Sequence, residues 1–256
     1  GDVNISSLVA EKDVLSGFSD WLMAILSGNR ITFQLPENNR RLLPEVVSWF
    51  VKENPEMQPV FSFTEGRIEK PEYLLTYPLE ENEQQLIKYF KAYPGVARMK
   101  KKAVAVLNGN ERSQDLKLIV EGDMRFFSQG NHRVSKILVP KGYDFTPLLE
   151  AFEDYMELKD HHSYRNNYDY YKSIYLLNQE NFFDNELVLI KEDDKQFLSP
   201  LSVIYFSYYQ SEEQLEEMID RRYISAVYRN QEGAGPAWTE MKNPVFANWE
   251  FYPVAR

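Results

Sequence analysis

The sequence predicts an α/β fold in two lobes, each built on a β-sheet. Two observations carry that reading. Between residues 5 and 107, short aliphatic or β-branched runs alternate with segments whose apolar residues recur every three or four positions. Beyond that stretch the alternation resumes, with helical patterns and a tyrosine-rich strand. Repeated βα units imply a parallel sheet with right-handed crossovers.

The elements follow in order. Ile5 to Ala10 reads as a strand. Gly17 to Leu26 carries Phe18, Trp21, Leu22 and Ile25 on one helical face, and Gly28-Asn29 ends it. Arg30 to Leu35 is a strand, and Leu42 to Val51 a helix closed by Asn54-Pro55. Val60 to Phe63 and Tyr73 to Tyr77 are strands. Asn82 to Tyr93 is a helix stopped by Pro94-Gly95, and Ala103 to Leu107 is a buried strand. The second half opens with a helix over Asp115 to Ser128, then a strand over Val134 to Val139 and a helix over Phe145 to Leu158. Tyr168 to Asn178 fits helix or extended strand. Leu187 to Ile190, Val203 to Tyr209 and Tyr223 to Arg229 are strands, and Ser211 opens a Glu-rich helix. The expected division is a nucleotide-binding-type lobe over 1–112, a catalytic-type lobe over 113–235, and a tail over 236–256. The tail's Trp238, Trp249 and Phe251 are expected to pack back on the body.

Composition narrows the chemistry. At 256 residues with 43% hydrophobic and 27% charged residues, the chain has enough apolar material for a large core. A net charge of −10 repels a nucleic-acid backbone, so no nucleic-acid partner is expected. No run reaches the ~20 apolar residues of a membrane span. The absence of cysteine excludes disulfides, thiol catalysis and thiolate metal sites. A cytoplasmic protein is expected; because the chain opens with Gly1, an upstream processed segment stays open.

Several strings carry a resemblance. RVSKILVPKGYDFTPLLEAFE (Arg133 to Glu153), DHHSYRNNYDYYKSIYLLN (Asp160 to Asn178) and SPLSVIYFSYY (Ser199 to Tyr209) are the strongest. GFSDWLMAILSGNRITFQL and KAVAVLNGNE match more loosely. From about Ser6 to about Gly235 the segment order resembles the bacterial fatty acyl-CoA reductases of the bioluminescence type, in the aldehyde dehydrogenase superfamily. The resemblance implies a two-lobed, aldehyde dehydrogenase-like architecture and reduction of an acyl-CoA thioester with NADPH. It also implies a thiol in the turn that precedes the Val134 strand.

This chain departs from the family at four positions. Asn131 stands where the nucleophilic cysteine belongs, and an amide nitrogen cannot form a thioester. Lys136 keeps the basic position that follows. Ser128 and Ser135, with His132 as base, are the substitutes at hand, but a pair so close along an extended segment points its side chains to opposite faces. Lys12 stands where an asparagine amide would stabilise the oxyanion. Gln34 replaces a cofactor-binding lysine. Where a Gly-Ser turn admits the dinucleotide, the chain reads Tyr77-Pro78-Leu79-Glu80-Glu81. Proline removes a backbone donor and leucine adds bulk there. The two carboxylates meet phosphate with like charge, at about 1 kcal/mol per close pair even in water-like dielectric.

The most polar stretch is Asp160 to Tyr170. As a family signature it makes His161, His162, Tyr164, Asn166, Asn167 and Tyr168 the candidate ligand-pocket residues. Adjacent histidines rarely converge on one ion, so no metal is expected. Glu111 is a possible general base by type, with a spacing to position 131 that is not diagnostic. The expectation is therefore an acyl-CoA reductase-like protein without reductase chemistry and without a bound cofactor. It would keep an acyl-CoA-like ligand, or a partner that is a second copy or an active paralogue. The alternatives are an active NADPH-dependent acyl-CoA reductase working by a variant mechanism, and an interaction module.

Overall fold

The computed structural model describes residues 3–10, 15, 17–77, 79, 84–90, 92–97, 100–124, 133–219 and 224–229. The described residues fall into two compact units, one up to Lys100 and one from Lys101. The expected tail over 236–256 lies outside the described residues.

The first unit is a five-stranded parallel sheet. In chain order it runs β1 (Asn4–Leu8), α1 (Phe18–Leu26), β2 (Arg30–Gln34), α2 (Leu42–Glu53), β3 (Phe61–Thr64), β4 (Tyr73–Leu75), α3 (Gln84–Phe90) and β5 (Gly95–Val96). The strand order is β3-β2-β1-β4-β5. In register, Ile5 of β1 lies opposite Ile31 of β2 and Tyr73 of β4. Strand alternation sends neighbouring side chains to opposite faces. Leu75 joins Trp21, Ile25, Phe33, Leu43 and Val47 in one core, which α1 and α2 cover. Leu74 joins Leu79 and Phe90 in a second core, on the side of α3.

Proline ends α2 as expected, and the chain continues as a 3-10 turn over Pro55–Val60. The short β5 was not legible in sequence. It depends on Gly95, where a Cβ would sit 2.1 Å from the Leu74 carbonyl oxygen. Only a residue without a side chain lets the two backbones approach so closely.

The second unit runs β6 (Lys102–Val106), α4 (Ser113–Met124), β7 (Val134–Pro140), α5 (Thr146–Ala151), α6 (His162–Leu177), β8 (Phe182–Asp184), β9 (Leu189–Glu192), β10 (Val203–Tyr209), α7 (Glu212–Met218) and β11 (Ile224–Arg229). Its sheet order is β11-β6-β7-β10-β9-β8, parallel except for the β8–β9 pair. Both sheets together give the α/β class that the sequence predicts.

Three expectations are corrected here. Strand β6, read as the last element of the first lobe, pairs with β7 and β11 and lies inside the second sheet. The division therefore falls near Lys100 rather than residue 112. The helix expected over 145–158 breaks after Ala151 into a 3-10 stretch, Glu153–Asp160, with Tyr155 at φ −120. Finally, the helix-or-strand segment at Tyr168 is the middle of α6, which starts six residues earlier at His162.

Candidate functional site

In an open parallel sheet, ligands bind beyond the carboxyl ends of the strands, where the strand order reverses. In the first unit that point lies between β1 and β4, so the residues following those strands define the candidate site. Thr76 follows β4 directly. It is 2% exposed, and its hydroxyl has no hydrogen-bond partner, although its backbone N–H donates to the Val96 carbonyl at 3.2 Å. A buried hydroxyl without a partner costs about 1–3 kcal/mol, so its presence at a strand end needs a reason.

The other cofactor-side positions are engaged within the chain. Gln34 ends β2, and its side-chain oxygen accepts from the Ile68 N–H at 3.3 Å, which takes up the acceptor expected to face a ribose. Leu79 is fully buried against Leu74 and Phe90, and its carbonyl accepts from Lys100 N at 2.7 Å. The side chain expected to add bulk at the turn is part of the core instead, because an apolar group gains by leaving water. Pro78, Glu80, Glu81 and Lys12 lie outside the described residues. At the head of α1 the Phe18 and Asp20 N–H groups donate to Leu15 and Gly17 carbonyls. Asp20 also adds an acidic side chain to that first turn. An anion would find few free donors there and a like charge. Among the described residues at this strand end, the Thr76 hydroxyl is the buried polar atom without a hydrogen-bond partner.

In the second unit, Asn131, Ser128 and His132 lie outside the described residues. The residues that follow them form a buried clamp. Arg133 donates to the Ser199 carbonyl and hydroxyl at 3.0 and 3.1 Å, to the Pro200 carbonyl at 2.6 Å, and to the Val203 carbonyl. Its Nε lies 3.3 Å from Asp123 Oδ1. Ser135 donates to the Phe197 carbonyl at 2.5 Å. Lys136, 1% exposed, donates to the Asp193 and Gln196 carbonyls at 2.9 and 3.2 Å, with the Phe197 ring centre 4.6 Å away. Burial lowers the Lys136 pKa, and the Asp193 and Asp194 charges offset part of that. Arg133, Ser135 and Lys136 together thus hold the 193–203 segment against the start of β7.

Glu111 is likewise committed. Its carboxylate accepts the Asn108 N–H at 2.5 Å, the Gly109 N–H at 3.1 Å and the Tyr143 hydroxyl at 3.4 Å. Such a cradle holds the carboxylate as a turn anchor and leaves it poorly placed to take a substrate proton.

The six pocket candidates do not converge. His161 caps α6, its Nδ1 accepting from Tyr164 N at 3.4 Å. His162 and Asn166 are exposed, and Asn167 donates back to the Ser163 carbonyl at 2.9 Å. Tyr164 and Tyr168, one turn apart, face inward. Tyr168 donates to Asp184 at 2.7 Å and accepts from Lys172 at 3.0 Å. One helix therefore splits the set between solvent and core. Among the described residues, no group of three metal-binding side chains comes together.

Sequence reasoning missed Asp123 and Thr76. Asp123 was legible: Leu116, Ile119, Val120 and Asp123 share the 3.6-residue face of α4, which places a carboxylate on a buried stripe. Nothing in the sequence marked Thr76.

No protein-family profile matches the chain, and no curated protein matches it. Solved structures do. The aldehyde dehydrogenase of Mycobacterium tuberculosis complexed with NAD+ superposes with a TM-score of 0.62 at 13% identity, covering 90% of this chain and 57% of that one. AldH of Staphylococcus aureus, in a substrate-bound state, gives 0.57 at 15%, covering 91% and 59%. KauB of Pseudomonas aeruginosa, an aldehyde dehydrogenase, gives 0.61 at 10%, covering 91% and 61%. The chain spans about three fifths of the length of such structures. The likeness establishes an aldehyde dehydrogenase-like fold. No described helix is long and apolar enough to cross a membrane.

Proposed function

We propose that this chain is an acyl-CoA reductase-like protein on an aldehyde dehydrogenase-type scaffold, non-catalytic as it stands. One observation carries the reading: a fold whose family chemistry runs through a thiolate occurs in a chain with no cysteine at all. The commitment of Glu111 to its own turn and of Gln34 to Ile68 supports it. Asn131 and Lys12 are the replaced nucleophile and oxyanion positions. A dinucleotide such as NADPH is not an expected cofactor. The retained role is binding, either of an acyl-CoA-like molecule or of a protein partner, in the cytoplasm.

The Thr76 hydroxyl favours the ligand-binding branch, since a buried donor at the switch point is satisfied by a guest. It is also the observation that keeps the second reading in play, an NADPH-dependent acyl-CoA reductase working without a thiol.

Two measurements separate these readings. Incubation with acyl-CoA and NADPH is expected to give neither aldehyde nor cofactor oxidation. Turnover abolished by Asn131→Ala would overturn the proposal. Calorimetry with NADP(H) is expected to show no binding tighter than about millimolar, a weak affinity worth about 4 kcal/mol; saturable micromolar binding would establish the second reading.

A further inference from the structure

Thirteen large hydrophobic side chains are well exposed among the described residues, and the first unit holds most of them. Six lie on one layer: Met23 (56%), Leu26 (71%), Leu42 (50%), Trp49 (71%), Phe50 (45%) and Phe63 (38%). The crossovers β1-α1-β2 and β2-α2-β3 place both helices on the same sheet face. The inner residues of the two helices share a single core, which makes the helices neighbours. Phe63 belongs to the same layer, because its ring stacks on the core residue Phe33 at 5.7 Å. Phe50 meets Phe61 edge-on at 6.0 Å, which ties the α2 surface to the edge strand β3.

The size of this surface is the first argument. Aromatic side chains bury about 150–250 Å² each, so six large side chains at these exposures leave roughly 600 Å² of apolar surface in water. That is at the top of what a monomer exposes in one patch. Doubled across two copies it is roughly 1,200 Å², the lower bound of a specific protein–protein interface. Trp, Phe and Met are also the residue types enriched at interface centres.

Charge supplies the second argument. A chain of net charge −10 resists self-association through an arbitrary face. On α2, however, the exposed residues include Glu45 and Lys52, seven apart, with Ser48 and Trp49 midway between them. Two copies of α2 crossing antiparallel about that midpoint set Glu45 of each against Lys52 of the other. Such a two-fold contact is self-complementary, with an apolar centre and neutralised ends.

We infer that the α1–α2 face, extended by β3, is the surface through which two copies of this chain pair. The inference is independent of the fate of the reductase chemistry. Sedimentation velocity and light scattering on the full chain test it. Between about 1 and 100 μM, a range that brackets micromolar affinity, the mass is expected to rise from 30.2 kDa to twice that value. Trp49→Glu is expected to weaken pairing at least about thirty-fold, as loss of an interface centre does. Because Trp49 is exposed, the circular dichroism of that variant should stay unchanged, and so should its melting at concentrations where the wild type is monomeric. Glu45→Lys and Lys52→Glu should each weaken pairing, and the double variant should restore it. A wild-type monomer at the top concentration would overturn the inference, whether the face is bare or covered by another protein. So would a dimer indifferent to Trp49→Glu and to both charge changes.

Discussion

Arg133 and Asp123 are buried together, at 3% and 2% exposure, with Nε and Oδ1 3.3 Å apart. The pair ties the last turn of α4 to the start of β7, while the other guanidinium nitrogens hold Ser199, Pro200 and Val203. Removing one member leaves the other's charge buried without its counter-ion. Asp123→Asn is therefore expected to cost about 3–5 kcal/mol. Asp123→Leu combined with Arg133→Met should cost markedly less than the sum of the two single changes. Urea midpoints of the singles and the double decide it, and strict additivity would refute the coupling.

The Glu111 cradle gives a second prediction. Glu111→Ala strands the Asn108 and Gly109 N–H groups on an exposed turn, where water replaces the carboxylate. The loss in stability is expected to be about 1–2 kcal/mol, with Glu111→Gln in between. Under the proposed function neither variant alters acyl-CoA binding. A selective loss of binding without loss of stability would instead mark Glu111 as part of a ligand site.

Alkaline pH should unfold this protein early. Burial raises the pKa of Tyr168 to about 12, with Asp184 reinforcing the shift and Lys172 opposing it. Burial likewise raises Tyr143, Tyr175 and Tyr205. The unfolded phenols ionise near pH 10. Their folded forms hold the proton longer, so the stabilisation is complete below about pH 10 and is lost as pH climbs toward 12. Lys136 acts in the opposite sense, since its lowered pKa makes its contribution grow with pH in the alkaline range. Several phenols against one ammonium should leave a net loss. Urea midpoints taken from about pH 8 to about pH 11 should fall, and Tyr143→Phe should flatten the slope. A flat profile would contradict the assignment.

Thr76→Val removes the hydroxyl without changing the side-chain outline. In the ligand-free chain it should stabilise the fold by about 1–2 kcal/mol, because an unsatisfied buried polar atom disappears. If the β1–β4 switch point binds an acyl-CoA-like molecule through that hydroxyl, the same variant should bind it at least tenfold more weakly. A destabilised variant would show that the hydroxyl already has a partner in solution.

Much of this architecture was legible because local pattern and tertiary demand agree. Strands β1 to β4 carry apolar or β-branched residues, and their helices carry a clear apolar face. Ser211 was read as a helix opener, and its hydroxyl accepts from Gln214 N at 3.3 Å. Where they disagree, the sequence misleads. Helix α6 begins with His, Ser, Tyr and Asn residues of middling helix propensity, and only the burial of Tyr164, Tyr168 and Tyr175 commits it to helix. Strand β6 looks the same in either lobe, because its neighbours β7 and β11 are set by long-range pairing. The six candidates on α6 divide between core and solvent for a geometric reason: consecutive residues on a helix point in every direction. The clamp of Arg133, Ser135 and Lys136 was hidden because its acceptors are carbonyls some sixty residues away.

The contact at Gly95 has a practical consequence for mutational scanning. All nineteen alternatives share the atom that would collide with the Leu74 carbonyl, so size, charge and polarity hardly matter at this position. A saturation library should score them as one uniformly depleted block, whatever selection is applied. That makes codon 95 a built-in gauge of how much loss of the β4–β5 seam each assay tolerates.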